Sequence, residues 1–203
     1  MEAEECTEHF FFFPVTVQST RHPDPERINA ALLPEIGRLC RETPDSRTPI
    51  SASKAYSTVN TLNNLDENPI FKELNKFILD ELNIYANEYS IKKNEYGIII
   101  DKMWINIYEE SSAMEVHNHP NSTFTGVYFV QAPEKSAPLI LKSELFDRML
   151  EQPTTMKNDF NAAIKEITPE PGLLVLFKSH IMHGTLLHKL AEERISISFT
   201  AMA

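Results

Sequence analysis

The sequence predicts a mainly β protein, a sandwich or barrel of short strands flanked by helices, on three observations. Apolar residues recur at helical spacing in the first half, the period falls to two beyond Tyr96, and the runs of period two are short, β-branched or aromatic and separated by turn residues. Helices first and strands afterwards argue against a doubly wound sheet, in which the two alternate. A length of 203 residues suits one well-buried domain. It divides into an N-terminal strand with supporting helices over 1–95 and a strand-rich core over 96–203.

The elements follow in order. Residues 9–20, HFFFFPVTVQST, form an opening strand that ends in a polar turn. Asp24 is placed to cap a helix and Pro25 suits its first turn, after which Ile28, Leu32, Ile36 and Leu39 share one face. Pro34 and Gly37 within that run argue against one straight helix. Residues 43–66, rich in Ser, Thr, Asn and Pro, read as a long irregular connection. A second helix runs from Asn68 or Pro69 to about Tyr89, with Phe71, Leu74, Phe77, Ile78, Leu82 and Tyr85 on one stripe. Six strands are then expected, within GIIIDKMWINIYEE, AMEVHNH, TFTGVYFVQA, APLILK, GLLVLFK and RISISFT. Between Ser143 and Thr168 lies a polar insertion with a helical stretch expected over 159–167.

Composition narrows the function. The formal net charge of -10, with no cluster of Lys or Arg, argues against a nucleic-acid binder, which needs basic surface to displace counterions from phosphates. No apolar run approaches the roughly 20 residues of a membrane helix. HFFFFPV is short for a signal-peptide core and follows Glu2, Glu4 and Glu5 where basic residues belong, so a cytoplasmic protein is expected. Cys6 and Cys40 form no CxxC pair and no disulfide framework.

The chemistry concentrates in EVHNHPNS, Glu115 to Ser122. On a strand, side chains at i, i+2 and i+4 share a face, so Glu115, His117 and His119 are expected to project to the same side. A third imidazole comes from PGLLVLFKSHIMHG, which offers His180 and His183 at the end of an apolar strand, where only one of the two can be aimed inward. Three ligands on adjoining strands occupy one face of an octahedron and leave positions open for substrate and oxygen. His188 is expected to be exposed in the last hairpin; His9 and His22 lie far from the cluster and receive no role. In ERISISFT, Ile195, Ile197 and Phe199 alternate with Arg194, Ser196, Ser198 and Thr200. If helices cover the apolar face, the polar face looks into a lumen, where an arginine needs an anionic partner.

These residues resemble the iron(II)- and 2-oxoglutarate-dependent oxygenases related to prolyl hydroxylases. The resemblance rests on WIN at Trp104–Asn106, on HxHPxSxxxG (His117, Asn118, His119, Pro120, Ser122, Gly126), on PGxLxLF with a later histidine, and on ERxSxSF. It covers roughly residues 100–200. It implies a double-stranded β-helix, the cupin-like jelly roll, with iron(II) bound by His117, His119 and His183. It further implies that Arg194 anchors the far carboxylate of 2-oxoglutarate, with Ser196 as hydroxyl companion; beside them Tyr108 and Tyr128 are candidate donors to that cosubstrate, and Asn106, facing the same side as Tyr108, is a candidate contact in the lumen. Oxygen is then consumed, a small-molecule or peptidyl substrate is hydroxylated at a C–H bond, and succinate and CO2 are released. Ser122 and Gly126 shape the turn and strand beside the metal, and specificity falls to the loops 43–66 and 143–168. One departure stands out: most such oxygenases carry Asp or Glu where this chain has His119, and Glu115 is the fallback carboxylate. That departure keeps two other readings open, a three-histidine cupin-type dioxygenase that does not use 2-oxoglutarate, and a non-catalytic jelly roll that binds a carboxylate or a protein.

Overall fold

A computed structural model describes residues 8, 13–46, 54–92, 97–144 and 153–203. Strand β1 (Val17–Arg21) leads to helix α1 (Pro25–Glu42), short strand β2 (Tyr56–Ser57) and helix α2 (Lys72–Glu88). Strands β3 (Ile99–Tyr108), β4 (Met114–His117), β5 (Phe124–Gln131), β6 (Leu139–Lys142), β7 (Ile164–Ile167), β8 (Leu173–Lys178), β9 (Met182–Thr185) and β10 (Arg194–Met202) follow. They form two antiparallel sheets, one ordered β1-β8-β5-β10-β3-β2 and the other β4-β9-β6-β7.

The helices arise as the periodicity predicts. Asp24 accepts from the Arg27 backbone N–H, Pro25 occupies the first turn, and Ile28, Leu32, Ile36 and Leu39 are buried. Pro34 sits inside α1 without ending it, contrary to expectation, because the buried residues on either side of it hold both halves of the helix against one surface. Asn68 caps a 3₁₀ turn, Pro69–Phe71, that runs directly into α2. Both helices lie on the outer face of the larger sheet, where Leu32, Ile36, Leu74 and Ile78 meet Tyr128, Leu176, Ile197 and Phe199. The inner face of that sheet meets the smaller one through Val127, Phe129, Val175 and Phe177 against Leu139 and Leu141.

Several expectations give way. The opening strand begins only at Val17; residues 9–12 lie outside the described residues. The connection 43–66 contains β2, paired to β3 through Tyr56↔Ile107 and Ser57↔Asn106, and Asn64 bridges to Met103. The helix expected over 159–167 is replaced by strand β7, whose Ile167 pairs opposite Leu139 and packs beneath it; the pairing with β6 overrides a weak helical preference. No described helix is long and apolar enough to cross a membrane.

Close approach of β5 to β10 requires glycine at one position. A Cβ on Gly126 would lie 2.1 Å from the Phe199 ring and 2.8 Å from Leu176. Gly126→Ala is therefore expected to lower stability by about 1–3 kcal/mol through forced displacement of Phe199, read as a lower denaturant midpoint at unchanged slope. A midpoint equal to that of the wild type would contradict the packing described.

Candidate metal centre

Strands β4 and β9 pair antiparallel through Met114↔Thr185 and His117↔His183, with a shift in register between the two pairs. Three residue steps on β4 thus match two on β9, a bulge that carries one extra residue. Gly184 permits it, since a Cβ there would stand 2.8 Å from the Met114 carbonyl oxygen and 3.1 Å from that of Glu115. The same bulge brings the Glu115 carbonyl to 2.7 Å from His117 Nδ1, while the Ile181 carbonyl lies 2.9 Å from His183 Nδ1. A carbonyl only accepts, so each Nδ1 carries the proton and each Nε2 keeps a free lone pair.

His119 reaches the same place by another route. Strand β4 ends at His117, and His119 stands in the following turn, its backbone N–H donating to the Ser179 carbonyl at 3.0 Å. The expected sharing of one strand face does not extend to His119, which lies past the end of β4, although Glu115, His117 and His119 all line one cavity. The three rings nevertheless converge, with centroids 5.1 Å apart for His117–His119, 4.5 Å for His117–His183 and 5.1 Å for His119–His183. One ligand-type nitrogen from each lies within 4.8 Å of the others, and the carboxylate of Glu115 is not part of that group. Burial, with the neighbouring His117, pushes His119 down to about 4 and His183 down to about 3. Both therefore stand as neutral imidazoles at neutral pH, the form that binds metals.

The other histidines separate from the cluster. His180 is exposed. His188, expected at the surface, is 0% exposed: its Nδ1 accepts from the Ala137 backbone N–H and its Nε2–H donates to the Glu192 carbonyl, so it clips the last hairpin to the loop before β6. His22 is buried and accepts from the Asp24 N–H, and His9 lies outside the described residues.

Arg194 opens β10 and is only 1% exposed. Its Nη1 donates to Thr185 Oγ1 at 3.2 Å, and its guanidinium carbon lies 4.5 Å from the centre of the Tyr108 ring and 4.9 Å from that of Phe129. Its Nε has no partner, no carboxylate among the described residues pairs with it, and burial lowers its pKa. The register Tyr108↔Arg194, Asn106↔Ser196 and Trp104↔Ser198 aligns all six with one cavity of about 280 Å³, which the three histidines also line. Asn106 Nδ2 donates to Ser198 Oγ at 2.9 Å, while its Oδ1 is buried and unpaired.

Tyr128 is a correction. Thr125 and Val127 of β5 line the cavity, so Tyr128 turns to the helix side, where its hydroxyl donates to Asn29 Oδ1 at 2.9 Å. Thr185 was the residue missed. It stands two places after His183 and shares its face, a spacing that would have revealed it had β9 been read as a strand. The donor set fits a divalent ion, and the buried guanidinium with an unpaired nitrogen fits a planar carboxylate.

Residues 102–200, just under half of the chain, match the family model described as "Putative 2OG-Fe(II) oxygenase". No curated protein matches the chain by sequence. Among solved structures, a prolyl-4-hydroxylase of Pseudomonas putida aligns at a TM-score of 0.63 and 14% identity, over 93% of this chain and 94% of its own. HygX of Streptomyces hygroscopicus, solved with nickel, 2-oxoglutarate and hygromycin B bound, aligns at 0.62 and 11%, over 93% and 83%. The viral collagen prolyl hydroxylase of Paramecium Bursaria Chlorella virus-1, a 2-oxoglutarate complex, aligns at 0.58 and 13%, over 92% and 95%. The fold is the double-stranded β-helix, and the resemblance read from the motifs agrees with the family model: the matched segment is similar to the iron(II)- and 2-oxoglutarate-dependent oxygenases.

Two substitutions check this geometry. Gly184→Ala is expected to push β4 off β9 and weaken divalent-metal binding about tenfold by calorimetry, an effect of the size seen when a ligand's support is lost. Tyr128→Phe is expected to leave 2-oxoglutarate affinity unchanged while lowering stability by about 1–2 kcal/mol, because Asn29 Oδ1 loses its donor. A Tyr128→Phe protein of full stability but weakened cosubstrate binding would return that side chain to the cavity.

Proposed function

We propose that the protein hydroxylates a C–H bond of a small-molecule or peptidyl substrate, with His117, His119 and His183 holding iron(II) and Arg194 holding 2-oxoglutarate. The observation that carries this reading is the meeting, in one cavity, of three converging histidines and a buried arginine without a carboxylate of its own. Iron(II), 2-oxoglutarate and O2 together supply the oxidising power, with succinate and CO2 as the coproducts.

The chain's own residues supply orientation and seclusion. The carbonyls of Glu115 and Ile181 fix the His117 and His183 tautomers, so that both present Nε2 before any ion arrives. Arg194 offers its guanidinium to the far carboxylate of the cosubstrate, and Thr185 and the Tyr108 and Phe129 rings hold it in place. Ser196 faces the cavity one alternation along β10 and adds a hydroxyl donor there. Asn106, its amide donated to Ser198, completes the wall beside it. Val127 and Leu139 line the cavity with apolar surface, which limits water around the reacting groups.

His119, an imidazole where a carboxylate is usual, favours one second reading: a three-histidine dioxygenase in which Arg194 binds the carboxylate of the primary substrate. Succinate separates the two. Anaerobic addition of iron(II) and 2-oxoglutarate is expected to produce a visible charge-transfer band, and admission of oxygen to yield succinate. His183→Ala should abolish both, and Arg194→Ala should raise the 2-oxoglutarate concentration required by about 100-fold, the worth of a lost charge-assisted contact. Oxygen uptake without succinate selects the second reading, and binding of neither component refutes both.

A further inference from the structure

Three imidazole nitrogen donors meet at the cavity, and no carboxylate among the described residues joins them. Among the described residues, the ligand-type atoms gathered within 4.8 Å of one another belong to His117, His119 and His183 alone. Glu115 lines the same cavity, but what it gives the cluster is its backbone carbonyl, the acceptor for His117 Nδ1–H. His119 is fastened in place: its backbone N–H is held by the Ser179 carbonyl at 3.0 Å, and its ring stands edge-on to Trp104 at 5.6 Å. Arg194 on the same cavity adds positive charge and no anionic oxygen.

We propose that His119 makes the site select against manganese(II) and in favour of the divalent ions that prefer nitrogen, iron(II), cobalt(II), nickel(II) and zinc(II). The inference rests on the reading that the three histidines hold a metal. Affinities rise from Mn²⁺ through Fe²⁺ and Co²⁺ to Ni²⁺ in any such site, and the donors set how steeply: carboxylate and water suit Mn²⁺ and Mg²⁺, whereas imidazole suits Fe, Ni, Cu and Zn. A carboxylate ligand attracts every dication through its charge and so compresses the series. A third imidazole removes that shared attraction and leaves the part that discriminates.

Titration calorimetry of the purified full chain under nitrogen, with Mn²⁺, Co²⁺ and Ni²⁺ and without 2-oxoglutarate, tests this. The wild type is expected to bind Ni²⁺ about 100-fold more tightly than Mn²⁺, and His119→Asp to narrow that ratio about tenfold by gaining Mn²⁺ affinity. Glu115→Gln is expected to keep the wild-type ratio. An unchanged ratio in folded His119→Asp, or a collapsed one in Glu115→Gln, overturns the inference while leaving the metal site standing. A wild type that binds none of the three ions overturns both the inference and the metal reading beneath it. Should His119→Asp fail to fold, Cu²⁺-loaded wild type decides the matter by electron paramagnetic resonance: splitting from three nitrogens supports the inference, and splitting from two overturns it.

Discussion

Hydrogen bonds from β10 to β3 on one side and β5 on the other must hold a strand whose two faces need opposite surroundings. Ile195, Ile197, Phe199 and Ala201 are buried in the helix-covered core, each larger side chain worth roughly 1.5–3 kcal/mol of burial. Arg194, Ser196 and Ser198 point the other way, into the cavity. Removing an ion such as the Arg194 guanidinium from water costs several kcal/mol. The apolar face and the two ladders offset that cost, so the strand stays in register with its charge facing inward. Everything at the site is placed from there: β3 supplies Trp104, Asn106 and Tyr108 at matching positions, and β9 supplies Thr185 to the guanidinium.

Much of this was legible because alternation along one strand is a local property. The two faces of β10 can be read from ERISISFT without knowing any neighbour, and the helices of the first half announce themselves by period and caps. Other features depend on partners that lie far away in the chain. His119 joins the cluster through a turn and a contact with Ser179, not through the alternation that suggested it. The β4 bulge exists because Gly184, on a different strand, leaves room for two carbonyls. The direction of Tyr128 follows the register of β5 with β8 and β10, which no local pattern states. His188 looked like a surface residue of a hairpin, yet two backbone partners from separate loops close over it.

The electrostatics of the cavity run against those of the chain as a whole. A net charge of -10 repels a dianionic cosubstrate at long range, but over about 8–10 Å salt screens that repulsion. Inside the cavity Arg194 is a buried cation, and the low dielectric around it lengthens its reach. On the proposed function, capture of an anion is thus a short-range event, governed by the geometry of the guanidinium. Thr185 occupies one of its donors, and Nε is left for a ligand.

The absence of a carboxylate from the histidine cluster is not made good by the groups behind it. In many metal sites the outer nitrogen of a ligating histidine donates to a carboxylate, which lends the ring partial anionic character. Here the Nδ1–H groups of His117 and His183 donate to backbone carbonyls, which are neutral and less basic. The two rings therefore gain no anionic character from the groups behind them, and the Arg194 cation lines the same cavity. On the proposed function, a cosubstrate with two carboxylates would answer both positive charges, the metal's and the arginine's, at once, with one carboxylate held by Arg194. On the same proposal a dianion would be favoured over a monoanion, which would satisfy one pole and leave the other buried and unpaired.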